Sequence, residues 1–305
     1  MGDMMAGVLS DGMSNCRRNF SVWCFLYFSK LLLAALFAIP LFIIVNANVE
    51  ISRFATTLIT SWSLDVISEL AMTRENVFTS FLLLLMFYAV VVFLFRQFVN
   101  GGIYHSLLAR HKVSTRDFFG EAAVLFTGHL KVSALMCLIY IPLVILVIAS
   151  QIVASLLPDS LFMNFGAIPL CRILARIALV YPFLILGVIL SDLLRFRLTT
   201  HPSERLPAGL KAAMDIYRTN FVQLNGIYYL YLLPFVAIWI VIEWLAMQLT
   251  GGLANTFGVL LELLLFQLCS FLRTGQSLLY MATVGALLKR EQPDWHQAPI
   301  TGACG

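Results

Sequence analysis

The chain has 305 residues and a net charge of +4, and it is 60% hydrophobic but only 12% charged, with a mean hydropathy of +0.89. Soluble globular domains carry about 25% charged residues. The composition therefore excludes a sizeable soluble domain within these residues and predicts a membrane protein. The six cysteines form no C-x-x-C pair and lie mainly in apolar runs, which argues against a disulfide framework or a zinc site.

Six stretches are long enough to cross a bilayer, which takes about 20 mainly apolar residues. They are approximately residues 20–44, 77–98, 132–156, 167–190, 224–247 and 256–288. Because backbone groups in lipid must bind one another, these spans are predicted to be helices. The predicted fold class is an all-α integral membrane protein with six transmembrane helices. One polytopic domain covers residues 1–290, and a disordered tail follows at 291–305.

Lysine and arginine are concentrated at both termini and in the second and fourth connections between spans. They are Arg17, Arg18, Arg96, Arg110, Lys112, Arg116, Lys131, Arg195, Arg197, Arg205, Lys211, Arg218, Lys289 and Arg290. The positive-inside rule assigns these segments to the cytoplasm, so both termini are predicted to lie inside. Because the basic residues follow this membrane pattern, they give no support for nucleic-acid binding.

Three segments outside the spans have the periodicity of amphipathic surface helices, at residues 50–72, 114–128 and 207–221. In the second, Ser114 and Asp117 have the spacing of a capping box, and in the third, Pro207 suits the first helical turn. Their predicted apolar faces are Phe118, Ala122 and Leu125, and Leu210, Met214, Tyr217 and Phe221. The basic residues of the two inner helices suit an anionic lipid surface.

Two stretches of the chain resemble each other when their final prolines are aligned. They are LFTGHLKVSALMCLIYIP, ending at Pro142, and IYRTNFVQLNGIYYLYLLP, ending at Pro234. A weaker third match, RRNFSVWCFLYF from Arg17, shares an Arg-x-Asn-Phe core with the second stretch. The pattern predicts an internal repeat of one surface helix and two spans. Apolar segments also resemble each other by chance, so both explanations stay open.

The stretches GGIYHSLLARHKVSTRDFF, PAGLKAAMDIYRTNF and RTGQSLLYMATVGALLKR carry a family resemblance. The chain resembles a group of uncharacterised six-helix bacterial inner-membrane proteins (YciC-like), and it is similar to the membrane portion attached to some glycerophosphoryl diester phosphodiesterases. The resemblance covers most of the chain through its layout and not through a specific motif. It implies a membrane topology, and it implies no hydrolysis, because the soluble phosphodiesterase barrel is absent from this sequence.

Ionisable side chains within spans are functional hypotheses by default. The candidate intramembrane polar network is Arg172, Arg176, Glu243, Glu262, Gln267, Arg273 and Gln276. The first four are predicted to share one depth near the outer ends of the last three spans. Interhelical ion pairing is the structural interpretation, and handling of an anion or proton is the functional one. Asp192, at the inner end of the fourth span, is predicted to pair with Arg195 or Arg197.

The sequence has no P-loop, nucleophile elbow or histidine pair at metal-ligand spacing. The chain is therefore predicted to be no enzyme and to need no cofactor or metal. The leading hypothesis is a protein of the bacterial inner membrane that acts in envelope assembly, or as a scaffold or partner subunit. Its predicted partners are the lipid bilayer, anionic lipids, and another protein or a second copy. The alternative is a small transporter or permease that uses the charged layer between the last three spans.

The first residue of the natural protein is open, because four methionines lie near the start of the sequence. These are Met1, Met4, Met5 and Met13. The stretch MSNCRRNF, which begins at Met13, has the form of a natural beginning. No convincing secretory signal peptide is present, because the apolar run after Arg18 is too long and lacks a small-residue cleavage site.

Overall fold

A computed structural model describes residues 2–48, 75–109, 111–156, 168–250 and 256–291, and within these ranges the secondary structure is entirely helical. The helices are α1 (Gly2–Arg18), α2 (Phe20–Asn48), α3 (Glu75–Leu108), α4 (Thr115–Leu156), α5 (Ile168–Thr200), α6 (Leu206–Thr219), α7 (Phe221–Thr250) and α8 (Thr256–Glu291). The predicted amphipathic helix at 50–72 and the tail beyond Glu291 lie outside the described residues.

Four helices in the described ranges are long and apolar enough to cross a membrane: Phe20–Pro40, Thr79–Leu108, Thr115–Pro142 and Phe221–Gln248. They correspond to the first, second, third and fifth predicted spans, which confirms the prediction of an all-helical membrane protein. The fourth and sixth predicted spans fall within the helices α5 and α8. The number of six spans and the orientation of the termini stay predictions.

The chain divides into two compact units, which are Met1–Phe20 with Gln97–Gly305, and Ser21–Arg96. The small unit, Ser21–Arg96, contains most of α2 and the first part of α3. The rings of Phe37 and Tyr88 join these two helices, with their centroids 4.4 Å apart. Large apolar side chains such as Leu32 and Phe87 are exposed on the same helices. Apolar exposure of this extent is typical of a surface that lipid covers.

The core of the large unit, Met1–Phe20 with Gln97–Gly305, lies towards one end of its long helices. Buried side chains occupy the last turns of α3, α5 and α8 and the first half of α4, including Leu107, Ala122, Leu193 and Leu287. Away from this packed end, apolar side chains of α4, α7 and α8 are exposed, including Leu138, Ile240 and Leu264. One end of this unit is therefore packed by protein, while these exposed positions of α4, α7 and α8 present an apolar surface of the kind expected against a bilayer.

The predicted capping box at the start of α4 is confirmed. The backbone N–H of Asp117 donates to Ser114 Oγ over 3.1 Å, and the Ser114 hydroxyl donates to Asp117 Oδ2 over 2.6 Å. The helix then continues to Leu156 without a break. It therefore joins the residues of the predicted surface helix and of the third predicted span in one continuous helix.

Replacing Ser114 with alanine is expected to lower the free energy of unfolding by about 1 kcal/mol, because one backbone donor loses its partner. Thermal unfolding in detergent micelles measures the effect. The matched control is Ser203→Ala, at an exposed position between α5 and α6, where no change is expected. Equal melting temperatures for the two variants would contradict a stabilising cap.

Gly101 and Gly102 allow α3 and α4 to touch closely. A Cβ atom at Gly102 would lie 2.7 Å from the Phe118 ring and 2.8 Å from the Phe118 carbonyl oxygen. A Cβ atom at Gly101 would lie 3.1 Å from Ala122 Cα. Both glycines have ordinary helical backbones. The two glycines therefore serve close helix packing, and the predicted face of α4 (Phe118, Ala122 and Leu125) is buried as expected.

The surface helix α6 begins as predicted, with Pro207 in its first turn. Its buried face differs from the predicted one, because Gly209, Ala213 and Ile216 are buried beside Tyr217 while Phe221 is exposed. A Cβ atom at Gly209 would lie 3.2 Å from Leu194 Cδ1 of α5. Small residues allow α6 to pack closely on α5. The buried face of α6 is therefore the one that contacts α5, and it is not the face with the largest apolar side chains.

Two asparagines mark breaks between a short helix and a long apolar helix. Asn19 lies between α1 and α2, and Asn220 lies between α6 and α7. Both side chains are buried, and each backbone N–H still binds a carbonyl four residues earlier, at Asn15 or Ile216. The sequence match between these two segments is the weaker one described above. Their helix breaks nevertheless have the same local form, whereas α4 continues without a break.

The helix α1 is an element that the sequence does not predict. It packs along the last half of α8, where Gly12 approaches the backbone of Thr283 so closely that a Cβ atom would lie 2.8 Å from Thr283 Cα. Val8 and Cys16 are buried in this contact. Burial raises the pKa of the Cys16 thiol to about 11. The thiol therefore stays protonated at neutral pH and behaves as a core group.

Candidate functional site

Side chains from α1 and α8 bind carbonyl oxygens at the end of α3. The Asn15 amide donates to the Leu107 carbonyl over 2.6 Å, and the Arg18 guanidinium donates to the Ala109 carbonyl over 2.7 Å. The Lys289 ammonium donates to the same Leu107 carbonyl over 3.1 Å. The last carbonyls of a helix have no partner within the helix. These three side chains supply partners, and cations there also favour the helix dipole.

The terminal turn of α8, Lys289–Glu291, has a different partner for each residue. While Lys289 binds the end of α3, Arg290 Nη2 lies 2.5 Å from Asp11 Oδ2 of α1. The Asn220 amide, at the break before α7, donates to Glu291 Oε2. Asn220 thus forms a hydrogen bond to the end of α8 from the break between α6 and α7. Three successive residues thus join three distant parts of the chain.

A buried polar cluster lies farther inside the same end of the large unit. It consists of Gln97, Tyr104, His129, Ser133, Asp192 and Arg195, and is called the Asp192 cluster here. Three helices contribute two side chains each, at seven-residue spacing in α3, four-residue spacing in α4 and three-residue spacing in α5. Such spacings place each pair on one helix face, so the three faces meet.

Asp192 is bound from two sides within this cluster. The Tyr104 hydroxyl donates to Asp192 Oδ1 over 2.5 Å, and Arg195 Nη1 lies 3.7 Å from the same oxygen. The ion pair with Arg195 is one of the two alternatives predicted for Asp192. Arg197, the other alternative, instead binds Glu204 with 2.8 Å between Nε and Oε2. Asp192 and Arg195 are 8% and 9% exposed, so their charges depend on each other.

The cluster continues from Arg195 to α4 and α3. Arg195 Nη2 donates to Ser133 Oγ over 3.0 Å, and the Ser133 hydroxyl donates to Gln97 Oε1 over 2.6 Å. A chain of four bonded side chains therefore joins Asp192 on α5 to Gln97 on α3. Polar side chains commonly join membrane helices in this way.

His129 differs from the other members of the cluster. Its side chain is 0% exposed, and neither ring nitrogen has a hydrogen-bond partner. The ring stacks on Tyr104, with centroids 5.5 Å apart, while Phe196 meets Tyr104 edge-on. Arg195 Nε and the Tyr280 hydroxyl are also buried without a hydrogen-bond partner. Buried polar groups without partners are uncommon and cost about 1–3 kcal/mol each.

The predicted intramembrane network lies elsewhere on α5, α7 and α8. Arg172 and Arg176 belong to α5 and Glu262 to α8, but their side chains lie outside the described residues. Glu243 lies on α7 and Arg273 on α8. Both interact electrostatically with Cys269, which is also on α8.

The described part of the predicted network lies beside a small apolar contact between α7 and α8. The Arg273 guanidinium lies 5.4 Å from the centroid of the Phe235 ring, which packs with Ile242 and Cys269. Gln267 and Gln276 are half-buried on α8. The geometry therefore brings Glu243 and Arg273 into one neighbourhood, close to Cys269. Among the described residues, no group of three His, Cys, Asp or Glu side chains could hold a metal ion.

A second polar contact between α7 and α8 involves the tyrosines of α7. The Tyr228 ring meets Tyr280 edge-on with centroids 5.5 Å apart, and the Tyr231 hydroxyl lies 2.9 Å from Thr283 Oγ1. Asn225 binds the Phe221 carbonyl and the Tyr217 hydroxyl, so it stabilises the start of α7 locally. These residues near the start of α7 thus serve packing between helices.

Comparison with known proteins adds no relative to this description. No protein-family model, no curated protein and no solved structure matches the chain. The resemblance to YciC-like proteins therefore stays a prediction, and function is argued from the described residues alone.

Proposed function

We propose that the chain is a non-enzymatic protein of the bacterial inner membrane that acts as a scaffold or partner subunit in envelope assembly. The observation that carries the proposal is the closure of the Asp192 cluster. Asp192, Arg195, Ser133 and Gln97 bind one another in succession. Side chains engaged in this way join helices, which is a structural role common in membrane proteins.

The long apolar helices supply the surface on which lipid or a partner helix would lie. Exposed apolar side chains cover the outer halves of α4 and α7, for example Leu138, Ile139, Leu233 and Trp244. A bilayer satisfies such a surface without specificity, whereas a partner subunit covers one face only. The described exposed positions therefore distinguish the two occupants by experiment.

Photo-crosslinking in native membranes tests the proposal. A photoreactive phenylalanine analogue replaces Leu138, Leu233 or Trp244, one position at a time, and Leu193 is the buried control. A partner subunit gives one discrete protein adduct from positions on a single face, and the Leu193 control gives none. Lipid adducts alone from every exposed position would contradict a partner role.

A small transporter is the second candidate, and Arg273 favours it. This exposed residue of α8 places its guanidinium beside the ring of Phe235, and the exposed leucines Leu264 and Leu268 precede it on the same helix. A cation within a span is costly and commonly marks a substrate path. Glu243 lies near enough to act on the same cysteine as Arg273. The two charges would then line a polar route between α7 and α8.

The transporter candidate predicts that Arg273→Gln and Glu243→Gln abolish solute flux while leaving folding intact. Purified protein in liposomes is assayed for uptake of a panel of organic anions and cations, with thermal unfolding of each variant in parallel. The control is Arg290→Gln, which alters an exposed ion pair in the last turn of α8, beyond Arg273 on the same helix. Absence of flux in the unaltered protein would remove this candidate and leave the scaffold proposal standing.

A further inference from the structure

We propose that the Asp192 cluster is an internal water site, in which ordered water bridges His129, Arg195 and Tyr280. Four buried polar atoms carry the inference: both ring nitrogens of His129, the Nε of Arg195 and the hydroxyl oxygen of Tyr280. They come from α4, α5 and α8. The inference is independent of the scaffold and transporter proposals, since either kind of protein could hold such a site.

The three residues that hold these atoms interact with Asp192 or with the tyrosine bound to it. Arg195 forms the ion pair with Asp192, and the His129 ring stacks on Tyr104, whose hydroxyl binds that carboxylate. Tyr280 interacts electrostatically with both Asp192 and Tyr104. Four of the five buried atoms without partners in the described residues therefore belong to neighbours of one polar centre, and the fifth is Gln223 Oε1 on α7.

The charges around this centre favour a neutral ligand. Asp192 and Arg195 balance each other, and the remaining members of the cluster are a histidine, a tyrosine, a serine and an amide, with the Tyr280 hydroxyl as a further neutral neighbour. An added ion would have no counter-charge in a medium of low dielectric constant. A neutral molecule that both donates and accepts hydrogen bonds meets no such penalty.

The hydrogen-bonding capacity of the same groups fits water. Arg195 Nε offers a donor, a neutral histidine offers one donor and one acceptor, and a tyrosine hydroxyl offers both. Buried water typically makes about three hydrogen bonds to otherwise unsatisfied polar groups. The residues that hold the four atoms are at most 9% exposed, so the site is closed to larger solutes.

X-ray radiolytic labelling in detergent micelles tests the proposal, because hydroxyl radicals formed from internal water label the side chains beside it. Mass spectrometry then reads oxidation at Tyr104, His129 and Tyr280. The control is Cys16, a more reactive side chain that is 5% exposed and lies in the contact of α1 with α8. Rates are compared after correction for intrinsic reactivity.

The expected result is labelling of His129 and Tyr280 well above that of Cys16. In Tyr280→Phe, which keeps the ring but loses the hydroxyl, labelling of His129 is expected to fall. Labelling of His129 and Tyr280 no faster than that of Cys16 would show a dry site and overturn the proposal. This comparison needs only the unaltered protein. The proposal can therefore be overturned even if Tyr280→Phe does not fold.

Discussion

Replacing Asp192 with leucine is expected to lower the free energy of unfolding by about 3–5 kcal/mol, because Arg195 would stay buried without its counter-charge. The Tyr104 hydroxyl would lose its acceptor at the same time. Arg195→Leu is expected to have an effect of similar size, since it leaves the carboxylate unpaired. Thermal and denaturant unfolding in one detergent measure both.

The double variant Asp192→Leu with Arg195→Leu separates charge from packing. It is expected to be more stable than either single variant, since no buried charge then lacks a partner. The exposed pair of Asp11 and Arg290 is the matched control, and Asp11→Leu is expected to change stability by about 0–1 kcal/mol. Strictly additive losses at Asp192 and Arg195 would show that the two charges do not stabilise each other.

Replacing Gly102 with alanine is expected to destabilise the large unit by about 1–3 kcal/mol, the usual effect of overpacking. The added Cβ atom would lie 2.8 Å from a backbone oxygen of Phe118, which cannot move without shifting α4. The effect opposes the ordinary preference for alanine over glycine within a helix. Thermal unfolding in micelles measures the change.

Gly120 in α4 is the matched control for Gly102. An added Cβ atom there meets no other atom within 4 Å. Gly120→Ala is therefore expected to raise the free energy of unfolding by roughly 0.5–1 kcal/mol through helix propensity alone. Opposite signs at the two glycines would confirm close contact between α3 and α4. Stabilisation at both positions would contradict it.

Much of the fold could be predicted from the sequence, because apolar length, capping and proline position act locally. Ser114, Pro207 and the four long apolar helices are cases of this kind. The helix α1 escaped prediction because its stabilisation comes from contact with α8, nearly the whole chain away. Its small residues, Gly7 and Gly12, mark that contact only once the partner helix is known.

The Asp192 cluster was predictable only in part. The pairing of Asp192 with Arg195 follows from their three-residue spacing on one helix. The approach of Tyr104 and His129 depends on how three helices pack, which the sequence does not state. One local signal was present: Gln97, Asn100 and Tyr104 form a polar stripe on one face of α3. A polar stripe within an apolar helix indicates a face that is buried in protein.

The terminal turn of α8 has a consequence for how the protein is made. Its three bonds connect Lys289 to Leu107, Arg290 to Asp11 and Glu291 to Asn220. None can form before the ribosome has synthesised the last turn of α8, although the earlier helices can already enter the bilayer. Closure of the packed end is thus postponed until translation has passed Glu291. A nascent chain that stalls earlier stays open at that end, where quality-control proteases of the membrane can recognise it.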